Sequence, residues 1–445
     1  MRSKSDKKKS LVPRLRFPEF REAGAWEKKR LGTQGGFLTP LSGKSAKDFD
    51  AGDAKFIPYM NVFSNTFTDI QDLRSVIITD DESQNAVAKG DVFFTVSSET
   101  PEEAGMSSVL LGDVDRCYLN SFCALFRFDD HLSPNLIFLG YLLRSRSVRC
   151  HLSRGAQGAT RYNISKLVFK ELPLVFPLAK EQQKIAHCLS SLDEVIGLQA
   201  KKVQALKQHK KGLMQQLFPA EGETTPRLRF PEFREAGAWG VKRLGEIYRF
   251  KPTNSWSRDQ LNYDSGTIKN IHYGDIHKEL NRTFRIDDEV VPYVNDTLAD
   301  SVKEDAFCEE GDIVLADASE DVDDIGKAIE IVDIGGQRLV SGLHTILASR
   351  IDHRIVVGFG AYLYASSGVR KQIQQRAQGA KVLGISKTQL AEVELAYPTE
   401  AREQQKIAHC LSSLDDVIGL ESHKLDALKN LKKGLMQQLF PQDVA

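Results

Sequence analysis

From Ile185 to Leu217, apolar side chains recur at a 4-3-4-3 spacing: Ile185, Leu189, Leu192, Ile196, Val203, Leu206, Leu213 and Leu217. Gln199 and Lys210 fill the two vacant slots. The pattern returns as Ile407, Leu411, Leu414, Ile418, Leu425, Leu428, Leu435 and Leu439, with Glu421 and Lys432 in the same slots. A 3.5-residue period held over more than four heptads predicts two long helices, each with a seam for a partner helix. Phe218-Pro219 and Phe440-Pro441 mark both ends, because proline cannot continue the helical ladder. At ~1.5 Å per residue, a helix of ~38 residues spans ~57 Å.

The two helices are copies. Glu181–Pro219 and Glu403–Pro441 agree at 31 of 39 positions, 222 residues apart. A second pair, Arg14–Gly32 and Arg227–Gly245, agrees at 17 of 19. Each half therefore has a shared opening, a variable region and a shared helix. The variable regions keep landmarks in common: Gly90-Asp91 with Gly311-Asp312, the two AQGA runs at Ala156 and Ala377, Ile164-Ser165-Lys166 with Ile385-Ser386-Lys387, and Pro177 with Pro398. One frame with different surfaces is the natural reading.

Within these regions the period switches. Asp91–Ser97, Phe122–Phe128 and Leu172–Pro177 are short β-branched and aromatic runs, as strands are; Asp312–Ala316 and Thr345–Ile351 answer them. Ser133-Pro134 offers a cap and a first-turn proline for a helix over Asn135 to about Ser153, and a second helix is expected near Val357–Gln375. The fold class is thus mixed α/β, in two related domains.

Seven residues, Ala220–Pro226, join the first helix to the second opening. A compact domain usually has its termini close together. The second helix then begins beside the end of the first and runs back antiparallel, giving an internal pseudo-two-fold repeat. The register that fits this direction sets Lys210 opposite Glu421 and Gln199 opposite Lys432. The divisions are a basic tail (1–13), a first domain (14–177), a long helix (178–219), a linker (220–226), a second domain (227–398), a second long helix (399–441) and a short tail (442–445).

Composition excludes little. The chain is 41% hydrophobic and 27% charged, and its 60 basic residues balance 60 acidic ones. No apolar run reaches the ~18 residues of a membrane span. The basic start lacks the apolar stretch of a secretory signal. Six scattered cysteines without a CxxC pair fit a reducing cytoplasm.

Local charge is more informative. The 40 residues between Asp130 and Glu171 hold no acid, but they hold Arg144, Arg146, Arg149, Arg154, Arg161, Lys166 and Lys170. The 39 between Asp352 and Glu392 likewise hold Arg354, Arg370, Lys371, Arg376, Lys381 and Lys387. Matching basic windows in otherwise acidic domains point to phosphate, and Arg149 and Arg370 are expected among the phosphate contacts. Gln157 and Gln378, in the AQGA runs, are identical in both halves; they suit positioning or phosphate contact better than base choice. The residues that differ just after them are better candidates for reading bases: Thr160, Arg161, Tyr162 and Asn163 against Lys381, Val382, Leu383 and Gly384.

Catalytic motifs are not evident. "LSGKS" at Leu41 lacks the upstream glycine of a G-x-x-x-x-G-K-S/T loop. "IPY" at Ile57 and "VPY" at Val291 lack the Asp/Asn-Pro-Pro-aromatic pattern of amino-methyltransferases and suit strand-edge prolines. The histidines of "IHYGDIH" at Ile271 match no metal spacing.

The order of parts resembles the specificity subunit of type I restriction–modification enzymes. The residues that carry the resemblance are the openings Ala25–Gly32 and Ala238–Ile247 and the closings Ile164–Ala186 and Ile385–Ala408, each running into a helix that ends in "KGLMQQLF". A second proline often follows the one matching Pro177 and Pro398; here Leu178 and Thr399 stand instead. The resemblance implies two target recognition domains, each reading half of a split double-stranded DNA target. It implies an antiparallel coiled coil that sets the gap and docks two methyltransferase subunits, through which restriction subunits join. It implies no catalysis and no cofactor on this chain, with S-adenosylmethionine, ATP and magnesium on the partners. The rival readings are a coiled-coil scaffold that does not bind DNA and a degenerate methyltransferase or nuclease.

Overall fold

A computed structural model of the protein describes residues 11–129, 134–278 and 280–442. It divides into two compact units, Met1–Ala200 with His423–Ala445, and Lys201–Ser422. Each unit is a mixed α/β lobe that holds a segment of both long helices, Ala179–Leu217 and Ala401–Leu439.

In the first unit, Val92–Thr95 and Cys123–Phe128 are the central strands of an antiparallel sheet edged by Gly35–Leu38 and Ser107–Val109. A second sheet joins Arg74–Val76, Phe49–Ile57 and Cys117–Leu119. In the second unit, Ile313–Ala316 and Thr345–Arg350 occupy the corresponding central places, in a sheet of five strands. The apolar runs became strands because both faces are covered: Val92, Phe93, Phe94 and Thr95 are fully buried. Gly90 and Gly311 turn the chain with positive φ just before a buried aspartate. Asp91 takes a bidentate bond from Arg127 at 2.7 Å, and Asp312 meets Lys251 at 3.3 Å.

The shared openings and closings prove to be one clasp. Glu27–Arg30 pairs antiparallel with Pro173–Phe176, and Gly240–Arg243 with Glu394–Tyr397, so each lobe does bring its own ends together. Beneath the first pairing, buried Arg16 grips Glu181 through two bonds of 2.8 and 2.7 Å, and the Trp26 indole donates to the same carboxylate at 3.3 Å. Arg229, Glu403 and Trp239 repeat the arrangement. Gln182 and Gln404 then tie the helix starts to the carbonyls of Pro177 and Pro398. The repeated arginine, tryptophan, glutamate and glutamine are thus accounted for by one buried, charge-assisted joint between sheet and helix.

Two expectations need correction. The helices foreseen over Asn135–Ser153 and Val357–Gln375 are each broken in two: Leu136–Leu143 with Arg146–Gly155, and Gly360–Ala365 with Ser367–Arg376. The breaks fall at Ser145 and Ser366, whose extended backbone redirects the chain; serine competes poorly for helix interiors. Asn135 caps the first helix, accepting from the Phe138 amide at 2.9 Å, so Pro134 precedes the cap and is not in the first turn. Ser133, like residues 1–10 of the basic tail and 443–445 of the short one, lies outside the described residues.

The second correction concerns register. The helix segments do pair antiparallel within each unit. In the first, Ile185 and Leu189 share a core with Leu435, Leu439 and Phe440; in the second, Leu213 and Leu217 share one with Ile407 and Leu411. However, Lys210 meets Asp415, Lys432 meets Asp193 at 2.6 Å, and Glu421 meets Lys202. Each aspartate also accepts a tyrosine hydroxyl from its lobe, Tyr141 at 2.7 Å and Tyr362 at 3.0 Å, while each lysine lies over that ring. The lobes therefore set the register. Phe440 packs edge-on to Trp26, and Phe218 edge-on to Trp239. Those anchors, not the polar seam residues, decide where each helix sits.

Candidate nucleic-acid interface

Each AQGA run closes a small hairpin loop. Gln157 and Asn163 exchange both backbone bonds, at 3.0 and 2.8 Å, and Gln378 and Gly384 do the same at 2.9 and 2.8 Å. Gly158 (φ +148°) and Gly379 (φ +136°) make the turn possible. A Cβ on either would stand 1.9 Å from a backbone oxygen across the loop, that of Arg161 or Val382. That steric demand explains the glycine in both halves. The strand Tyr162–Asn163 then pairs with Ser97–Ser98, and Leu383–Gly384 with Ala318–Ser319. The loops share a backbone and present different exposed tips: Thr160 and Arg161 in one, Lys381 and Val382 in the other. The Gln157 and Gln378 side chains are exposed, with no partner among the described residues.

The surface beside each loop differs more. In the first unit a cleft of about 410 Å³ is lined by Tyr59, Met60, Phe63, Glu103, Phe122 and Arg161. Met60 and Phe122 are 58% and 62% exposed, so two large apolar groups stand together at one cleft. Tyr59 stacks on Phe63 and donates to the Ser97 carbonyl at 2.7 Å, fixing the floor of the cleft. In the second unit the helix Tyr273–Lys278 packs where Tyr59–Ser64 packs in the first. There Tyr273 touches His272, His277 and His344. His344 lies 3.3 Å from Asp317, and His277 3.1 Å from the Ala318 carbonyl. Burial, with Arg258 nearby, holds the His272 pKa below its ordinary value. Each floor carries an aromatic ring and a carboxylate, but the first adds phenyl groups and the second imidazoles. Both offer groups that can meet base edges. Spacing along the chain could not reveal these sets, since His344 and Phe122 arrive from a different strand end than their neighbours.

The basic windows have another explanation than the one expected. Arg144 lies inside the first lobe and donates to four carbonyls, those of Val62, Phe63, Asn65 and Ser107, at 2.8 to 3.0 Å. Arg149 donates to Glu102, Ala104 and Gly105, at 2.5 to 2.7 Å. Burial pulls both guanidinium groups down to about 10, so they remain charged at neutral pH. Arg370 holds the carbonyls of Asp323 and Ile325. These three are struts beneath loops, and the windows lack acids partly because the partners are carbonyls. Lys371 pairs with Glu221 at 2.5 Å, and Arg376 bonds two carbonyls. Arg161 and Lys381 stand exposed on the hairpin tips; Arg146 and Arg154 line a separate groove, described below.

Among the described residues, no group of three or more His, Cys, Asp or Glu could hold a metal ion, and no helix is long and apolar enough to cross a membrane. The six cysteines are free thiols.

Comparison with known proteins bears on the same regions. The type I restriction modification DNA specificity domain matches twice, over residues 26–208 and 237–430. A type I restriction enzyme MjaVIII specificity subunit from Methanocaldococcus jannaschii is 24% identical over 322 residues, covering 68% of this chain and 69% of that one. The S subunit of a type I restriction–modification system from M. genitalium superposes with a TM-score of 0.54 at 16% identity, over 97% of this chain and 99% of that one. A chain from a study of type I system assembly and conformational transition gives 0.57 at 15% identity, over 94% and 98%.

Proposed function

Because the chain belongs to the type I restriction modification DNA specificity family, and so acts as the DNA-recognition subunit of such a complex, we propose that its two lobes read the two halves of a split target. The observation that carries this is the pair of hairpin loops. They have the same backbone and stand beside floors of different chemistry, Phe122 and Glu103 in one lobe, His344 and Asp317 in the other. A shared frame with exchanged side chains is what two independent readers of different sequences require.

On this reading Thr160, Arg161, Tyr162 and Asn163, with their floor, face one half-site. Lys381, Val382, Leu383 and Gly384, with theirs, face the other. Gln157 and Gln378 shape the loops through their backbones. Arg161 and Lys381 are the first candidates for phosphate or base contact, while Arg144, Arg149 and Arg370 hold the loops behind them. The paired helices form an antiparallel coiled coil that relates the halves by a pseudo-two-fold axis and fixes the gap. Two methyltransferase subunits dock along it, one per half, and bring the restriction subunits. S-adenosylmethionine, ATP and magnesium then serve those partners.

The test is a swap. Replacing Ala159–Asn163 by the residues at 380–384, with Phe122→His, and mapping methylated bases after reconstitution should change the half-site read by the first lobe alone. A change in both halves, or in neither, refutes independent reading at these loops.

A further inference from the structure

The first lobe has a basic groove that contains none of the residues proposed above to read DNA. It encloses about 560 Å³ where the helix Arg146–Gly155 meets the end of the second long helix, and Arg14, Arg146, Cys150, His151, Arg154 and Gln442 line it. Among the described residues, Arg14, Arg146 and Arg154 have no ion pair and no hydrogen-bonded partner, and Arg146, Cys150 and Arg154 are exposed.

In the second lobe the corresponding groove is narrowed to about 140 Å³ by the chain's own linker. There the linker from Ala220 to Thr224 lies against Ser366, Gly368 and Gln372, the counterparts of Ser145, Ser147 and His151 at a shift of 221 residues. The linker is acidic and short-turned, with Glu223 N–H on the Ala220 carbonyl at 2.9 Å. Glu221 bridges Lys371, the counterpart of Cys150, at 2.5 Å; the Trp239 amide donates to the Thr224 carbonyl at 2.7 Å, as the Trp26 amide of the first lobe does to the Leu11 carbonyl at 3.0 Å. The protein thus carries its own example of what such a groove accepts: a carboxylate-bearing length of polypeptide. In the first lobe Arg146 and Arg154 replace Ser367 and Gln375, which raises the positive charge of the groove.

We propose that the groove of the first lobe is a docking site for an acidic polypeptide segment of a partner protein. Resting on the function proposed above, that partner is the methyltransferase subunit. A planar guanidinium group meets a carboxylate bidentately, and the groove offers two on one helix, at positions 146 and 154, with Arg14 also lining it.

The full chain tests this with a fluorescent peptide of sequence Ala-Glu-Gly-Glu-Thr-Thr, copied from Ala220–Thr225. Binding read by anisotropy should weaken at least tenfold in R146E/R154E, and equally when both peptide glutamates become glutamine. It should also fall as salt rises. Duplex DNA affinity of the same variant should stay within twofold of the parent. A bromoacetyl group on the peptide should alkylate Cys150 ahead of Cys188 and Cys410, read by peptide mass mapping. No peptide binding, or a parallel loss of DNA affinity, overturns the proposal. So does stronger binding after removal of residues 443–445, which would make the chain's own tail the occupant. Peptide binding with methyltransferase assembly untouched by R146E/R154E overturns the partner assignment alone.

Discussion

Arg149→Ala separates a strut from a phosphate contact. The Arg149 fork holds three carbonyls of the loop Glu102–Gly105, at 2.5, 2.6 and 2.7 Å. That loop carries Glu103, which lines the cleft and accepts from Ser98 at 3.2 Å. A hydrogen bond to a charged group is worth about 1.5–3 kcal/mol. The Glu102 carbonyl is exposed and regains water, so two bonds dominate, and they are not additive. The expected loss is about 3 kcal/mol. For a unit of this size that lowers Tm by roughly 6–12 °C. Arg149→Lys keeps the charge but cannot span three carbonyls, so it should recover half the loss at most. Arg161→Ala, on the exposed loop tip, should move Tm by less than about 1 °C and lower DNA affinity instead. Calorimetry of the three variants, with a salt titration of DNA binding, decides the matter. If Arg149→Lys melted like the parent while Arg149→Ala flattened the salt dependence, the arginine would be touching phosphate and the strut argument would fail.

Gly158→Ala should strain the first hairpin loop by about 1–3 kcal/mol, because its φ of +148° is combined with a Cβ 1.9 Å from the Arg161 oxygen; binding to the first half-site should drop about tenfold, and an unchanged affinity would mean that the loop does not read. Glu330, fully buried, accepts the amides of Gly358 and Ala361 at 2.9 and 2.7 Å, and burial pushes its pKa up from 4.5 to about 7. The folded group keeps its proton where the unfolded chain has lost it, so stability falls as pH rises from about 4.5 to about 7 and is level above, by roughly 3 kcal/mol. Glu330→Gln should remove that slope from urea titrations of the second unit, and an equal slope in the variant would place the titration elsewhere. One heptad added after Leu206 and after Leu428 keeps the seam in phase and lengthens each helix by about 10 Å, or about 3 base pairs. The methylated motif should keep both half-sites and gain a wider gap; the original gap would show that something else measures the distance.

The sequence alone determined the duplication, the two long helices and the mixed α/β class. These rest on local signals. A heptad period survives in any context that offers an apolar partner, and β-branched runs such as Val92–Thr95 are strands wherever both faces are covered. It also marked the AQGA runs as landmarks common to both halves, but that they close hairpin loops, and that only glycine suits positions 158 and 379, is seen in the folded backbone. What the tertiary structure decided were matters of partnership. Lys210 and Lys432 could be seen as polar seam residues, but not that Tyr362 and Tyr141 stand over them with Asp415 and Asp193. Arg149 and Arg161 are the same letter in one acid-free window, yet one is enclosed by carbonyls and the other is bare. Burial separates them, and burial depends on what the rest of the chain brings near, from Gly105 to the Phe440 anchor that fixes the helix register. Periodicity is a property of neighbours along the chain, whereas the work a charged side chain performs is set by the dielectric and the partners around it, which only the folded lobe supplies.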